Sequence, residues 1–173
     1  NCNITGDNTI CNGESTDFAA EDVGGSYSWT GPGGFTANTR VINNITQAGT
    51  YTVTVTANGC QNTCSRTLTV NPIPNTPTVN SNSPVCEGGN LNLSTPVGGA
   101  TYSWTGPNGF NSTQQNPTIT GATAANNAGT YSLTVTVGGC TSLAGSTNVS
   151  FSPPLNPGSI NNPGGEYCVN WNV

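Results

Sequence analysis

Cysteine is the residue type with the most reactive chemistry in this chain, which contains seven cysteines and no histidine. Zinc sites usually draw on histidine or on paired Cys-x-x-Cys knuckles, and the sequence offers neither. A cysteine nucleophile also needs a neighbouring base, for which histidine is the usual choice. The cysteines are therefore predicted to form disulfide bonds in an oxidising, extracellular compartment, without a metal or a cofactor.

Carboxylates are the other groups that could act in catalysis. Five of the seven acidic residues fall within the first 22 positions, in turn-rich stretches: Asp7, Glu14, Asp17, Glu21 and Asp22. They have no counterparts in the second copy described below, and the Asp-x-Asp-x-Asp-Gly spacing of a calcium loop does not occur. We interpret them as solvated turn residues and predict that the chain is not an enzyme.

Charge and hydropathy exclude two classes of partner. Charged residues make up 5% of the chain, the net charge is −5, and Arg40 and Arg66 are the only fixed cations. No basic patch is available to neutralise a phosphate backbone, so nucleic acid is not expected as a partner. No apolar run approaches the roughly 20 residues needed to cross a bilayer, so membrane insertion is not expected either.

The sequence contains an internal duplication. Tyr27–Phe35 reads YSWTGPGGF and recurs at Tyr102–Phe110 as YSWTGPNGF, while Ala48–Val55, AGTYTVTV, recurs at Ala128–Val135 as AGTYSLTV. The two offsets, 102 − 27 = 75 and 128 − 48 = 80, place a five-residue insertion between the blocks of the second copy, where we expect a loop at 121–127. A fixed repeat of this length indicates two copies of one folding unit.

Each copy shows short runs of alternating polar and apolar residues between Gly, Pro and Asn turns, which is typical of β-sandwiches. In the first copy we predict six strands, at 3–11, 15–20, 26–30, 40–45, 50–57 and 65–70. The predicted fold class is all-β, with two tandem immunoglobulin-like β-sandwiches and an extra C-terminal strand. The predicted domains are 1–72, 73–153 and an extension at 154–173.

Two aromatic pairs are predicted to belong to the core. Trp29 and Trp104 lie in the middle of a strand before a Gly-Pro turn, where a large ring fills the space between two sheets. Tyr51 and Tyr131 follow Ala-Gly-Thr, the place of a tyrosine corner whose hydroxyl bonds back to the preceding turn. A sugar-stacking role for the tryptophans is the minor alternative.

Repetition also suggests how the cysteines pair. Cys11 corresponds to Cys86 and Cys60 to Cys140, so each copy is expected to hold one bond, Cys11 with Cys60 and Cys86 with Cys140. Cys2 and Cys64 occur only in the first copy and are predicted to form a second bond there. Cys168 is then left over, unpaired or bonded to another chain.

The cysteine and turn motifs, from CNITG and ICNGES through YSWTGPGGF and AGTYTVTV to NGC and CSRTLTV, resemble the Ig-like or PKD-like tandem repeats of large secreted surface proteins of the Bacteroidota. The resemblance covers about 1–153. It implies a β-sandwich in a stalk, adhesin or filament and carries over no catalytic residue. The family's first module often has a further cysteine pair, which corresponds to Ala19 and Val41 here; both cysteines are absent together.

The C-terminal stretch is surplus to two sandwiches. Its apolar residues alternate with polar ones, which predicts one strand with an apolar face made of Tyr167, Val169, Trp171 and Val173. A lone strand cannot bury that face, so it either begins a third repeat or adds to a sheet of this or a neighbouring molecule. Donation to the next molecule would make a head-to-tail filament, because such contacts propagate when they do not close.

Two functions from different classes are compatible with the sequence. The favoured hypothesis is a structural subunit of an extracellular filament or cell-surface adhesin stalk, whose partners are copies of itself or neighbouring repeats. The alternative is a module that binds glycan or protein through its loops. Tyr, Trp and Phe lie mainly in the repeated scaffold and the tail rather than in loops, which favours the structural reading.

Overall fold

The computed structural model of the protein describes residues 2–152. Two compact units are present: residues 2–73 together with Gly138–Cys140, and Pro74–Val137 together with 141–152. Both are all-β, as the sequence predicts. The predicted C-terminal strand at 154–173 lies outside the described residues.

The first unit contains eight strands: β1 Ile4–Thr5, β2 Thr9–Cys11, β3 Thr16–Ala20, β4 Ser26–Thr30, β5 Thr36–Ala37, β6 Val41–Ile45, β7 Gly49–Ala57 and β8 Cys60–Asn71. They form a three-stranded sheet in the order β1-β3-β6 and a five-stranded sheet in the order β2-β8-β7-β4-β5. All pairs are antiparallel except β2 with β8, which is parallel. This is a two-sheet sandwich in which the chain changes sheet at every step except β4 to β5 and β7 to β8.

The second copy of the repeat has the same order, with β9 Asn80–Ser81, β10 Val85–Cys86, β11 Gly89–Ser94, β12 Thr101–Thr105, β13 Asn111–Ser112, β14 Thr118–Ala122, β15 Gly129–Val137, β16 Cys140–Thr141, β17 Gly145–Val149 and β18 Phe151–Ser152. Cys140, the first residue of β16, belongs to the first compact unit. One sheet is β9-β11-β14, and the other joins β13, β12 and β15 to β16 and β17. The strand β10 runs parallel to β18, as β2 does to β8. The duplication in sequence is therefore a duplication of topology.

Each sandwich encloses its own core. In the first unit Phe18, Trp29, Val53 and Leu68 are buried together from both sheets. In the second unit Leu91, Trp104, Leu133 and Val149 do the same. These residues come from the inward-facing positions of the alternating runs, and burial of the side chains that share this face supplies the driving force for folding.

The first predicted strand, 3–11, is wrong as a single element. Two strands occupy it, and they belong to different sheets, because β1 pairs with β3 while β2 pairs with β8. Gly6 makes the crossing between them, with φ of +123°. A Cβ at this glycine would lie 2.0 Å from the carbonyl oxygen of Asp17, so no other residue fits there without a shift of the backbone.

The five-residue insertion of the second copy is not wholly a loop. The segment finishes β14 and then forms a one-turn helix, α1 Ala124–Asn127. Asn127 accepts a bond from the backbone N–H of Thr123 through its side-chain oxygen, at 3.0 Å, which closes the turn. This helix of four residues is the one α-helix of the described part of the chain, and it is too short to cross a membrane.

The predicted pairing of Cys11 with Cys60 is wrong. Cys11 lies opposite Asn71, the last residue of the twelve-residue strand β8, whereas Cys60 is its first. Eleven residue steps of a strand span about 36 Å, and a disulfide needs a Cα separation of roughly 4.4–6.8 Å. The parallel course of β2 along β8 therefore carries Cys11 away from Cys60.

The same geometry overturns the pairing of Cys86 with Cys140. Cys86 lies opposite Ser152 in β18, while Cys140 begins β16, twelve residues earlier on the same edge. Cys140 is instead bonded to Cys11, with a Cα separation of 5.6 Å. Cys86 is not a free thiol either.

Candidate functional site

The tryptophans of the repeated motif are anchored inside each sandwich. Trp29 and Trp104 are completely buried. Their ring N–H groups donate to the carbonyl oxygens of Thr39 and Gln114, each at 2.9 Å. The polar edge of each ring is thus satisfied by a loop of its own unit, as a buried indole requires. Neither ring has a face left open for stacking on a sugar.

Both tyrosines form the predicted corner. The hydroxyl of Tyr51 donates to the carbonyl oxygen of Gln47 at 3.0 Å, and that of Tyr131 donates to the carbonyl oxygen of Asn127 at 3.1 Å. Burial raises the pKa of both phenols above their ordinary value; at Tyr131 a smaller contribution from Asn127 opposes the rise. A raised pKa keeps the phenol protonated, which is the form that donates the corner bond.

The two repeated sequence blocks pack on each other in both copies. A Cβ at Gly106 would lie 2.5 Å from Cδ1 and Cε1 of the Tyr131 ring, and a Cβ at Gly129 would lie 3.0 Å from Cγ of Pro107. The first copy has the same arrangement, with Gly31 against Tyr51 and Gly49 against Pro32. The Trp-Thr-Gly-Pro turn and the Ala-Gly-Thr-Tyr strand are therefore two halves of one contact.

A disulfide joins Cys2 to Cys64, as the sequence suggests. Cys64 lies in the middle of β8, opposite Val53, and both sulfur-bearing residues pack against the core of the first unit. The bond ties the segment before β1 to the five-stranded sheet. In the chain-entropy model a cross-link between residues 62 apart stabilises the folded state by about 4 kcal/mol.

The exposed faces of the larger sheets are covered with hydroxyl groups rather than charges. Thr50 bonds to Thr67 at 2.9 Å, and Thr52 bonds to Ser65 at 2.8 Å, each across the β7–β8 pair. In the second unit Thr136 and Thr141 form the same contact at 2.8 Å. Cross-strand pairs of this kind stabilise a sheet, and they leave it with little electrostatic attraction for charged ligands.

Both arginines have structural partners. Arg66 donates to the carbonyl oxygens of Ile4 and Gly6, and its guanidinium carbon lies 5.7 Å from the ring centroid of Phe18. Arg40 donates to the carbonyl oxygen of Ala20 at 3.3 Å. These cations hold strand edges together and do not form a basic patch.

The one free thiol of the described residues is Cys60. It is exposed, and it is the first residue of β8, directly after the turn that joins β7 to β8. It borders an open groove of about 330 Å³ together with Val23, Val55, Ala57, Gln61 and Asn62. The groove joins an apolar floor to two amide side chains. It is the candidate site of the first unit, and sequence reasoning missed it because Cys60 was assigned to a disulfide.

The corresponding hairpin of the second copy is engaged. Gly138–Cys140 is part of the first compact unit, where the side-chain amide of Asn71 donates to the carbonyl oxygen of Gly138 at 2.7 Å. Cys140 is bonded to Cys11 and is almost fully buried, with 1% of its surface exposed. The two hairpin cysteines thus have equivalent positions in the repeat, but Cys60 is a free thiol and Cys140 is in a disulfide.

The other site residues predicted from the sequence belong to the C-terminal segment. Cys168 and the predicted assembly strand, Tyr167, Val169, Trp171 and Val173, lie outside the described residues. Within residues 2–152, no three His, Cys, Asp or Glu residues are grouped so that they could hold a metal ion. Asp17 accepts a hydrogen bond from the backbone N–H of Asn44 at 2.8 Å, and Asp22 lies 3.8 Å from Arg40 in an exposed ion pair.

Comparison with solved structures identifies the fold. Murine CEACAM1b is 12% identical to this chain, with a TM-score of 0.51; the match covers 87% of this chain and 100% of that one. A murine receptor in complex with a mouse coronavirus receptor-binding domain is also 12% identical, with the same coverage and a TM-score of 0.56. No protein-family model and no curated protein matches the sequence. The chain therefore has an immunoglobulin-like fold, and at this identity the likeness concerns the fold alone.

Proposed function

We propose that this chain is a structural, non-enzymatic module of an extracellular protein, in which Ig-like units repeat to build a filament or a cell-surface stalk. Its partners are then copies of itself or neighbouring repeats. The two described disulfides support an oxidising location outside the cytoplasm. The cysteine and turn motifs that resemble Bacteroidota surface repeats support the same assignment.

The observation that carries the proposal is that the repeated residues pack against each other inside each unit. In each unit the two repeated blocks form one contact, glycine against the tyrosine corner and glycine against proline, beside a buried tryptophan. What the chain has duplicated is the part that holds a sandwich together. Duplication of the scaffold contacts is the pattern of a module that repeats along a chain and spans distance.

Assembly is proposed to use the C-terminal segment 154–173, including Cys168. Its alternating pattern provides an apolar strand face that a sheet edge of a neighbouring molecule can cover by β-strand addition. A contact between one end of a molecule and a different surface of the next is head-to-tail, and such contacts produce a filament when they do not close into a ring.

Electron microscopy of the native, unreduced protein tests the proposal. Ordered filaments with an axial repeat set by the modules are expected of a filament subunit, whereas isolated particles would contradict the filament and favour a segment of an adhesin stalk. Deletion of Gly164–Val173 should leave folded monomers. Val169→Asp, on the predicted apolar face, should prevent assembly, whereas Asn170→Asp, on the opposite face, should not. Filaments that survive the deletion would rule out the segment as the assembly strand.

A second candidate function is supported by the groove beside Cys60. Val23 is 37% exposed there, and Gln61 and Asn62 offer amide donors and acceptors suited to a glycan or a peptide backbone. If the module binds through this groove, Gln61→Ala should abolish retention on a glycan array or a protein ligand. Thr67→Ala, six residues further along β8, is the matched control and should bind normally. Equal binding by the two variants would exclude the groove.

A further inference from the structure

The hairpins that present Cys60 and Cys140 have the same backbone conformation. Asn58 and Gly59 have φ of +50° and +73°, and Gly138 and Gly139 have φ of +58° and +86°. In both cases two consecutive left-handed residues make the turn between two antiparallel strands, which is the type I′ hairpin. A cysteine follows directly, so the chain presents its thiol in the same way at both places.

One of these two equivalent cysteines is already in a disulfide, which shows the kind of group that a cysteine at this position bonds to. Cys140 is bonded to Cys11, the last residue of a short strand that runs parallel to the final strand of a sandwich. Beside the disulfide, the Asn71 side chain donates to the turn carbonyl of Gly138 at 2.7 Å. The partner of the hairpin cysteine is thus a cysteine at the end of β2, with an amide donor on the neighbouring strand β8. We call β2 and the equivalent strand of any other module a β2-type strand.

Cys60 is the same hairpin cysteine without that partner. It is free and exposed, and it is bordered by the groove that contains Val23, Val55 and Asn62. We propose that Cys60 is a covalent docking point that forms a disulfide with the β2-type cysteine of another Ig-like module of this kind. The inference rests on the proposed repetition of modules and names the bond that joins one to the next.

The bond requires a two-electron oxidation, for which the oxidant is a disulfide donor of the extracytoplasmic compartment. The Cys60 thiolate attacks the donor disulfide, forms a mixed disulfide and releases one donor thiol. The thiolate of the partner module then attacks the Cys60 sulfur and releases the second donor thiol. Two protein thiols are oxidised to one disulfide, and one donor disulfide is reduced to two thiols.

One difference between the hairpins affects the fit of the partner. A Cβ at Gly138 would lie 3.1 Å from the amide nitrogen of Asn71, and the first hairpin carries such a Cβ, on Asn58. The crowded atom is the end of a flexible side chain, so a shift of a few tenths of an ångström accommodates it. The partner module is expected to carry a small or flexible polar residue at the position of Asn71.

Disulfide mapping of native protein, alkylated before any reduction, tests the proposal. Trypsin can cut only after Arg40 and Arg66, so Cys60 and Cys64 stay on one peptide. Pepsin digestion with electron-transfer fragmentation separates them. The expected result is a linked peptide that joins Cys60 to a β2-type cysteine, with Cys11–Cys140 as the internal positive control. Cys60 found alkylated, capped by a small thiol, or linked to a second Cys60 would overturn the proposal.

Non-reducing electrophoresis distinguishes the two possible sources of the partner. A module on another chain gives a covalent species of higher mass that disappears on reduction, whereas a module in the same polypeptide gives the linked peptide without that species. Cys60→Ser should abolish the linked peptide completely. Thr69→Ser, at an exposed position of the same strand outside the groove, should leave it intact, and circular dichroism should show that both variants are folded.

This test separates the inference from the function on which it rests. Ordered filaments in which Cys60 is alkylated would overturn the disulfide and leave the structural function standing. In contrast, isolated particles in which Cys60 is linked to the β2-type cysteine of a further module would support the bond and refute the filament; the β2-type cysteines of the two described modules, Cys11 and Cys86, are not free.

Discussion

Replacement of Gly106 by alanine should destabilise the second unit, because the added methyl group meets the ring of the tyrosine corner. Gly106 has φ of −167°, a conformation that alanine adopts freely, so the backbone itself is not the obstacle. The new Cβ would lie 2.5 Å from Cδ1 and Cε1 of Tyr131. Relief of that contact requires the ring or the turn to move by about 0.9 Å, to reach ordinary van der Waals separation.

The ring has little freedom to move. Tyr131 is completely buried, its hydroxyl is held by the carbonyl oxygen of Asn127, and its ring makes an edge contact with Phe110 at 5.4 Å between centroids. Overpacking in a site of this kind costs about 1–3 kcal/mol. Because loss of the corner hydrogen bond would add to the cost, we expect a value near the upper end. For a unit of this size, that corresponds to a fall in melting temperature of roughly 10 °C or more.

The control is Gly98→Ala. A Cβ there meets nothing within 4 Å, and its backbone φ is not in the left-handed region. This substitution should be neutral or stabilise by up to about 1 kcal/mol, because alanine reduces the conformational entropy of the unfolded chain. Both variants replace glycine by alanine, but only Gly106→Ala creates a close contact with the Tyr131 ring.

Urea denaturation followed by circular dichroism provides the free energies of unfolding. In a double-mutant cycle, Gly106→Ala should cost much less when Tyr131 is already Leu, since the branched side chain vacates the position of the ring edge. If Gly106→Ala unfolds at the same urea concentration as Gly98→Ala, or if its cost is the same beside Tyr and Leu, the packing argument for the repeated Trp-Thr-Gly-Pro motif is refuted.

Three further predictions concern individual contacts. Tyr131→Phe should lower stability by about 1–3 kcal/mol, because it leaves a carbonyl unpaired, and a urea series measures this. The pKa of the Tyr131 phenol is raised in the folded protein. The phenol therefore stabilises the folded state fully below about pH 10, and this contribution is lost as the pH rises towards the folded pKa. Above about pH 9 the melting temperature should consequently depend less on pH in the Phe variant. Cys2→Ser with Cys64→Ser should cost about 4 kcal/mol in the same urea assay, and an unchanged midpoint would show that the bond adds nothing. Ala19→Cys with Val41→Cys should form a disulfide, detected as a mass loss of about 2 Da, because these residues are directly opposite in an antiparallel pair with a Cα separation suited to the bond; persistent free thiols in the oxidised protein would contradict that register.

The sequence by itself determined the fold class, the duplication and the scaffold residues. Alternation of Tyr51, Val53 and Val55 with threonines specifies a strand with one buried face, since successive side chains point to opposite sides of a sheet. The repeated Trp and Tyr residues were identifiable as core because a large ring in mid-strand before a Gly-Pro turn, and a Tyr after Ala-Gly-Thr, fit the interior of a sandwich. These are local patterns, and local patterns are visible in a sequence.

Only the tertiary structure decided which residues meet across the chain. The sequence suggested that Cys11 pairs with Cys60, because each copy holds both residues. The parallel pairing of β2 with β8 placed Cys11 at the far end of that strand, next to Asn71 and within reach of Cys140. Strand direction and register are set by how the sheets close around the core, so the free thiol of Cys60 and the groove beside it appear only after the strands have been assembled.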